Sequence, residues 1–476
     1  MIPVLFTTDG LVWLLVAAVA GYFLHVRGAP HLLVPWKRVT RSASGMSALV
    51  VLAVFVSVGL LDSLRYRPAL DRKDEKGETV YAVEATSVLD KIASPLREHR
   101  ERTYSAPLAT RAYARETLEI PQADGKIKQV REFPRLAWGG THLKDESEHA
   151  QDVAMRGLVG LGLALIVWCG LAFAAVSRCA HVRKAGRREA WLAIWRAETA
   201  VPWWSMLLTA GTLLALIGPA LVLCTGYHVL GTDKVGQDVL YLALKSIRTG
   251  LVIGTVTTLV LLPFAVTLGI MAGYFRGWID DLIQYLYTTI NSIPGVLLIA
   301  AAVLLMQVYV DQRPELFPTS AQRADLRLLF LCIILGLTSW TGLARLLRGE
   351  ALKLRELEYI QAAQAFGVRD TRIIGRHILP NVMHIVLISL VMDFSGLVLA
   401  EAVLSYVGVG VDPSMISFGT MINAARLEMS REPVVWWALA AAFVFMFVLV
   451  LAANLFADAV RDAFDPRVRV GGLARA

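Results

Sequence analysis

Residues 341–381 read TGLARLLRGEALKLRELEYIQAAQAFGVRDTRIIGRHILPN and lie between two long apolar runs. The segment is charged, but some of its apolar residues recur near helical spacing and predict one partly apolar helix face. These residues are Leu352, Tyr359, Ala362, Ala363 and Phe366. Gly367 is expected to end this helix with a positive φ, and Asp370 to cap a second helix that Pro380 ends. Two short helices are therefore predicted, either docking in a groove on a partner or resting on lipid.

The runs on both sides of this loop belong to a larger set. The chain has 476 residues, of which 56% are hydrophobic and only 18% charged. Its apolar residues gather into runs of roughly 17 to 27 residues, enough for a helix to cross about 30 Å of hydrocarbon. The fold class is therefore predicted to be an all-α polytopic membrane protein. The nine candidate spans are 3–25, 45–62, 155–177, 204–225, 248–274, 281–309, 327–347, 382–406 and 435–458.

Basic residues indicate the orientation of these spans. With nine spans, four segments rich in arginine and lysine fall on one side, which is then cytoplasmic. The N-terminus is expected outside and the C-terminus inside, and the net charge of +8 needs no nucleic-acid partner. The basic segments are the first loop (Arg27, Lys37, Arg38, Arg41), the loop after the third span, residues 348–381, and the tail (Arg461, Arg467, Arg469).

The polar segment at 63–153 lies between the second and third spans and would be extracytoplasmic. It contains aromatic and aliphatic residues, and residues 85–102 could be helical, but its pattern predicts no particular fold. An enzyme or sensor domain there would be a second class of function. However, the segment has no GxSxG, no HExxH and no cysteine pair. The four cysteines of the chain show no metal-ligand spacing, so no metal or cofactor is expected.

Residues 359–381 resemble the EAA loop of type I ABC importer permease subunits, which grips the ATPase subunit. The family pattern is Glu-Ala-Ala, three residues, Gly, nine residues, Ile, one residue, Leu-Pro. This chain departs from it at Gln361, where Glu is usual, and at His377, where Ile is usual. Residues 376–381, RHILPN, have the form of the dipeptide, oligopeptide and nickel branch. The positions that match the pattern are Ala362, Ala363, Gly367, Leu379 and Pro380.

Five further segments are similar to signatures of that branch, so the resemblance covers about 228–470. Gln237 replaces an arginine that is usual in the first. These segments are HVLGTDKVGQDVL (228–240), AGYFRGWID (272–280) with SIPGVLL (292–298), LAEAVLSYVGVGVDP (399–413) and NLFADAVRDAFDPR (454–467). The implied organisation is an extra N-terminal part at 1–62, the insert at 63–153, a third span with a basic loop at 154–203, and a six-helix permease core at 204–470.

The resemblance implies a permease of an ATP-binding-cassette importer in the inner membrane. Its implied partners are a second homologous permease, two ATP-binding subunits on the cytoplasmic side and an extracytoplasmic substrate-binding protein. The cargo implied is peptides, with nickel, an opine, a sugar or a peptide antibiotic as alternatives. The chain has no GxxxxGK[ST] motif, so it is not expected to be an enzyme. The residues implied to couple to the ATPase are Tyr359, Gln361, Ala362, Ala363, Phe366, Gly367, Arg376, Leu379 and Pro380.

Two carboxylates, Asp393 and Glu401, fall in the apolar span at 382–406. A charge in hydrocarbon costs a few kcal/mol, so such a residue usually faces a cavity or a partner. Asp393 and Glu401 are therefore candidates to face the pathway or a partner subunit, although Asp393 could instead form a structural pair with a basic residue. Pro263 and Pro294 are expected to kink their spans. The GxxxG pairs 250/254 and 269/273 predict close helix contacts.

Overall fold

Long helices account for the runs predicted to cross the membrane. The computed structural model describes residues 2–28, 30–73, 79–121, 127–313, 315 and 319–464, so Arg467, Arg469 and the end of the last signature lie outside it. In that part, eight single helices are long and apolar enough to span a bilayer, and a bent helix pair makes a ninth candidate. The all-α polytopic fold is thus confirmed.

The helices are numbered in chain order. The spanning helices are α1 (Thr7–Gly28), α3 (Ala43–Ser63), α6 (His149–Arg183), α8 (Trp203–Leu223), α9 (Val239–Phe275), the pair α10 (Trp278–Ser292) and α11 (Gly295–Asp311), α12 (Ser320–Arg355), α15 (Leu379–Val407) and α17 (Trp437–Phe464). The shorter helices are α2 (Pro30–Val39), α4 (Val88–Ile92), α5 (Ser94–Glu98), α7 (Arg187–Trp195), α13 (Glu358–Ala365), α14 (Asp370–Ile373) and α16 (Phe418–Glu428).

The predicted span at 281–309 is two helices that meet at 87°. Pro294 lies at the break, where a missing N–H and the restricted preceding residue interrupt a helix. Pro263, by contrast, lies inside the continuous α9. Three contacts follow the pair along α12 in antiparallel order: Asp280–Arg348, Asn291–Thr341 and Asp311–Arg327. The pair therefore runs the length of α12 as one broken span.

The polar insert, residues 63–153, contains short strands as well as α4 and α5. The strands, which include one at the start of the chain, are β1 (Ile2–Val4), β2 (Arg65–Arg67), β3 (Ala69–Lys73), β4 (Thr79–Tyr81), β5 (Thr86–Ser87), β6 (Glu116–Pro121) and β7 (Ile127–Glu132). They form one sheet of order β1-β2-β5 and two antiparallel hairpins, β3-β4 and β6-β7. Ser87 begins α4 with a capping box in which it and Asp90 satisfy each other's backbone N–H.

The chain divides into two compact units. The first contains residues 1–3, 40–248 and 416–452, and the second contains residues 4–39, 249–415 and 453–476. In the first unit, a buried cluster joins the polar insert to α9, α16 and α17, and α6 packs closely on α8. A Cβ added to Gly160 of α6 would lie 2.5 Å from Pro219 Cα of α8, so this contact requires glycine.

In the second unit, α9 and α12 lie side by side. A Cβ at Gly269 would lie 2.7 Å from Ala344 O, and one at Gly273 would lie 2.6 Å from Ala351 Cβ. From Gly269 to Gly273 along α9, the contact on α12 moves from Ala344 to Ala351, which is also toward the C-terminus. The two helices are therefore parallel. The GxxxG pair 269/273 therefore makes the close helix contact that its spacing predicts.

Candidate functional site

The EAA-like loop, residues 350–381, presents α13 with two different faces. Tyr359 and Phe366 point outward and are 45% and 87% exposed, and Ala362 between them is exposed as well. Ile360 is fully buried and Ala363 is half-buried. Only part of the predicted apolar face is therefore free: the outer stripe of Tyr359, Ala362 and Phe366, defined here as the exposed stripe.

Three isoleucines attach the loop to the rest of the second unit. Ile360, Ile373 and Ile378 each have 0% exposure and pack in one cluster with Leu347 and Ala351 of α12. Fully burying an isoleucine stabilises a fold by about 1.5–3 kcal/mol. The sequence prediction missed this inner face. The signal was present, because each of the three helical segments carries an isoleucine.

A tyrosine from another signature holds the turn between α13 and α14. Gly367 has a φ of +71°, as predicted for the helix end. Tyr274 at the end of α9 donates its hydroxyl to Asp370 Oδ1 over 2.6 Å and accepts from Gln364 Nε2 over 3.2 Å. The prediction that Asp370 caps α14 is wrong, because this carboxylate is the first residue of the helix and binds Tyr274 instead.

Pro380 does not end a helix, which corrects the second boundary prediction. Residues 374–378 form a π-helical turn, and α15 continues directly from it with Pro380 in its first turn. The wider turn lets Leu379 N–H reach Ile374 O and leaves room for a residue without an N–H. Asn381 then donates to Tyr359 Oη over 3.2 Å, which ties the start of α15 to α13.

Gln361 uses the part of its side chain that glutamate lacks. Its Nε2 donates over 3.3 Å to the backbone oxygen of Glu356, and the Glu356 carboxylate pairs with Arg276. An ionised glutamate at this position could not donate this hydrogen bond. The departure from the family pattern is therefore matched by a contact within the loop. The other predicted positions lie at its surface or edge: Arg376 and Pro380 are exposed, and Leu379 is half-buried.

These contacts make the loop a surface held in a fixed position. The exposed stripe lies above an apolar anchor, and hydrogen bonds to Tyr274 and Asn381 fix both ends of α13. In the described residues, no group of three or more His, Cys, Asp or Glu side chains is arranged to hold a metal ion. The loop is suited to contact a macromolecule through apolar and aromatic surface.

The two carboxylates of the next span occupy different surroundings. Glu401 is 1% exposed and accepts a hydrogen bond from Ser405 Oγ over 2.6 Å, while the same Oγ accepts from Val411 N–H. This burial corrects the expectation that Glu401 faces a pathway or a partner, because the chain itself encloses the carboxylate. Asp393 is half-buried, and the described residues provide it with no hydrogen bond or ion pair.

Sequence reasoning also missed a buried charge cluster that holds the polar insert. Glu101 accepts backbone hydrogen bonds from Ala137, Trp138 and Gly139, and His228 Nε2 lies 3.4 Å from its Oε1. His228 Nδ1 is 2.8 Å from Asp238 Oδ2. His228 opens the signature at 228–240, so the insert is attached directly to that signature.

The pKa values of this cluster favour charged groups. Burial opposes the charge on His228, but the carboxylates of Asp238 and Glu101 raise its pKa to about 9. Burial also opposes the charge on Glu101, but hydrogen bonds from His228 and three backbone N–H groups hold the pKa of this carboxyl below its usual value. The cluster is therefore an imidazolium between two carboxylates at neutral pH.

A second buried charge cluster, formed by one lysine and two aspartates, lies where the insert meets α9. Lys245 Nζ is 2.7 Å from Asp62 Oδ1 and 2.9 Å from Asp90 Oδ1, and these side chains are 14%, 3% and 7% exposed. Burial would raise the pKa of Asp90, but the Lys245 ammonium and hydrogen bonds from Ser87 and Tyr241 lower it to about 2. One cation thus holds two carboxylates that lie at the same end of the antiparallel pair β2-β5, one just before β2 and one just after β5.

Comparisons with known proteins identify a family that matches about half of the chain. Residues 265–470 match the family described as binding-protein-dependent transport system inner membrane component. The chain is 32% identical over 242 residues to the oligopeptide transport system permease protein OppC of Mycobacterium tuberculosis. The aligned residues make up 51% of this chain and 77% of that relative. It is also 32% identical over 244 residues to the glutathione transport system permease protein GsiD of Pectobacterium atrosepticum, covering 51% and 73%.

A solved structure is also similar to part of the chain. The MetNI methionine ABC transporter in an inward facing conformation shares 17% identity with a TM-score of 0.35, over 48% of this chain and 97% of that one. The relatives with close sequences are permease subunits and not enzymes. With its signatures and its multi-pass architecture, this chain belongs to the family of binding-protein-dependent transport system inner membrane components.

Proposed function

We propose that this chain forms part of the pathway of an ATP-driven importer for peptides and receives the ATPase stroke through its EAA-like loop. The relatives that support a peptide cargo are oligopeptide, dipeptide and glutathione permeases. The observation that carries the coupling role is the exposed stripe, in which Phe366 is 87% exposed above an anchored base. The proposed partners are a second permease, two ATP-binding subunits and a substrate-binding protein.

The contacts of the loop suggest how a stroke reaches the membrane. An ATPase subunit that grips Tyr359, Ala362 and Phe366 would move α13 as a body, because α13 is fixed at both ends. The buried isoleucines would transmit that motion to α12, and the continuous helix from Asp370 to Val407 would carry it into the span. Packed helices switch between discrete arrangements more readily than they deform, so the spans would rock between inward and outward states.

The orientation with nine spans is part of the proposal. It gives an outer N-terminus, an outer polar insert, and a cytoplasmic EAA-like loop and C-terminus. Thr8 Oγ1 and N–H bind Asp325 at the start of α12, so α1 and α12 begin at the same end of the second unit. This agrees with an outer N-terminus if the end of α12 is cytoplasmic. The proposed domain limits are 1–62, 63–153, 154–203 and 204–470.

Asp393 is proposed to face the pathway or the second permease. A carboxylate without a partner inside a spanning helix is costly in lipid, and a cavity or a neighbouring subunit removes that cost. Asp393→Asn should then reduce transport or assembly in proteoliposomes, while Ser389→Ala in the same helix should not. Normal assembly and transport by Asp393→Asn would refute the role.

The coupling role can be tested by copurification. The chain is coexpressed with the second permease and the ATP-binding subunits from neighbouring genes, and the tagged chain is purified in detergent. Phe366→Asp should reduce the copurified ATP-binding subunits more than tenfold and leave the second permease in place, because a carboxylate would be buried in the docking groove. Phe133→Asp, an exposed aromatic of the polar insert, is the matched control and should retain both partners.

Two results would contradict the proposal. The coupling role fails if Phe366→Asp retains the ATP-binding subunits at the level of Phe133→Asp. The peptide cargo is tested separately with the assembled complex and its binding protein in proteoliposomes. Peptides should stimulate ATP hydrolysis, and stimulation by nickel or a sugar instead would replace the cargo while leaving the coupling role intact.

A further inference from the structure

An open hollow lies at the end of α6, where the chain turns into α7. Its volume is about 510 Å³, and it is lined by the last turns of α6 and the first residue of α7. The lining residues are Ser177, Ala180, His181, Lys184, Ala185 and Arg187. Because α6 is a spanning helix that ends at Arg183, the hollow lies where the bilayer meets water.

The hollow is basic and has no acidic counterpart. Lys184 and Arg187 line it, both are exposed, and neither has an ion pair in the described part of the chain. The guanidinium of Arg187 lies 5.1 Å from the centre of the Phe173 ring, almost three turns back along α6. The Arg187 side chain therefore lies against the apolar part of α6.

Ser177 is an uncharged donor that lines the same hollow, and the N-terminus of α7 lies next to it. Ser177 Oγ is buried and has no hydrogen-bond partner in the described residues. The N-cap of α7 is Gly186, which has no side chain to satisfy the first N–H groups of that helix. A helix N-terminus with unsatisfied N–H groups attracts anions, and a buried hydroxyl without a partner is costly unless a ligand completes it.

The apolar surroundings indicate the source of the anion. Ile166 and Phe173 on α6 are 69% and 58% exposed, so an apolar strip runs from the hollow along the spanning helix. On α7, Trp191 and Trp195 are exposed and pack edge to face, while Ala190 and Ile194 are buried against α6 and α8. Short helices with aromatic and basic residues on their outer face are typical of the membrane interface.

We propose that this hollow binds the phosphate of an anionic phospholipid. Lys184 and Arg187 pair with the phosphodiester, Ser177 Oγ donates to it, and an acyl chain follows the exposed face of α6 past Phe173. Basic pockets beside spanning helices bind anionic headgroups through charges that each contribute about a factor of five. The site lies outside the EAA-like loop and does not depend on the proposed cargo.

The test measures lipid binding to the purified full-length chain in detergent. A fluorescent phosphatidylglycerol is bound and then displaced by unlabelled phosphatidylglycerol, phosphatidylcholine or inorganic phosphate. Phosphatidylglycerol should displace the probe at a concentration at least tenfold lower than phosphatidylcholine. Inorganic phosphate should not displace the probe even at about ten times the effective concentration of phosphatidylglycerol. The charge-reversal pair Lys184→Glu with Arg187→Glu should weaken phosphatidylglycerol binding about thirtyfold. The pair Lys144→Glu with Arg196→Glu makes the same change in net charge at exposed positions outside the hollow and should bind as the wild type.

A second variant keeps the test valid if the charge-reversal pair does not fold. Ser177→Ala removes only the unpartnered hydroxyl, so it should fold normally and weaken binding about threefold. Unchanged binding by both variants would overturn the proposal. Displacement by free phosphate as effective as by phosphatidylglycerol would make the hollow a site for small anions, and equal displacement by phosphatidylcholine would show that the headgroup charge is not recognised. Either result overturns the assignment to an anionic lipid.

Discussion

The EAA-like loop and the polar insert differ in whether buried charges help to attach them to the rest of the chain. The loop is held by three fully buried isoleucines, with a few hydrogen bonds at its ends. The insert shares an apolar cluster with α9, α16 and α17, and two buried charge clusters, one around His228 and one around Lys245, hold it as well. Apolar burial depends little on pH and falls gradually as methyl groups are removed. A buried ion cluster is sensitive to protonation, and losing one partner leaves an uncompensated charge.

The largest effect is expected from Lys245→Met, which leaves Asp62 and Asp90 buried without their cation. Breaking a buried pair in this way costs about 3–5 kcal/mol. The melting temperature of the chain in nanodiscs should fall, and the polar insert should become much more sensitive to a protease. Lys234→Met, at an exposed lysine just before α9, should change neither the melting temperature nor the protease sensitivity. Equal behaviour of the two variants would show that the insert does not depend on the Lys245 cluster.

Alkaline pH should also weaken the attachment of the insert, with a loss of stability somewhat smaller than that caused by Lys245→Met. The pKa of His228 is raised from 6.5 to about 9, so its stabilisation is complete below pH 6.5 and is lost as the pH rises through 9. This shift corresponds to about 3 kcal/mol. Glu101, whose pKa is lowered, acts in the other direction, and its contribution is lost as the pH falls below its usual range. Protease sensitivity of the insert should therefore be lowest near pH 6 and rise toward pH 10.

His228→Gln provides the control for this pH profile. The variant should be less stable than the wild type at pH 6, and the difference should close by pH 10, where the wild-type imidazole is also neutral. A constant difference between the two proteins from pH 6 to pH 10 would show that His228 does not titrate in this range.

The loop should respond in the opposite manner. Ile373→Val removes one buried methylene and should cost about 1 kcal/mol, a value that does not change between pH 6 and pH 9. The melting temperature of the variant and the wild type should therefore run parallel across that range. Thr371→Val, at an exposed position two residues away, should leave the melting temperature unchanged. A pH-dependent cost for Ile373→Val would remove the contrast between the two regions.

The smallest effect is expected from Gln361→Glu, which restores the residue usual in the family pattern. The carboxylate cannot donate to Glu356 O, but the hydrogen bond is exposed, so the stability should fall by less than about 0.5 kcal/mol. Amide hydrogen exchange in α13 should be slightly faster. Gln361→Lys keeps a donor and should exchange like the wild type. Faster exchange in both variants would mean that the hydrogen bond does not hold the helix.

The two regions also differ in how far their structure could be predicted. Spans, the loop between them and the helix end at Gly367 followed from apolar periodicity and glycine chemistry, because both are local properties. The hydrogen bond that Asp370 accepts from Tyr274 could not be predicted in this way, because the two residues are 96 positions apart along the chain. In the sequence, Asp370 looks the same whether it caps a helix or binds a distant hydroxyl. Pro380 misled for a related reason, since a wider turn can absorb the missing N–H without ending the helix.

The polar insert lacked such local signals. Glu101 and His228 are distant along the chain, and nothing in either segment indicates that they pair. The same holds for Asp62, Asp90 and Lys245, each of which reads as an ordinary charged residue near a span end. For Glu401, the cost of a carboxylate in lipid was recognised, but the chain itself buries the carboxylate, and Ser405 Oγ donates a hydrogen bond to it. The location of a charge could be predicted, but its partner could not.

The π-helical turn at residues 374–378 has a consequence for helical phase. A turn that contains one extra residue rotates everything after it by about 100° relative to an uninterrupted α-helix. The direction in which α15 presents each side chain is therefore set jointly with the direction of α14, through a single added residue. Deleting Gly375, an exposed residue in that turn, would swing Ile373 out of its pocket or turn Asp393 to a different side of the span. The turn therefore fixes the rotation of α15 about its axis relative to α14.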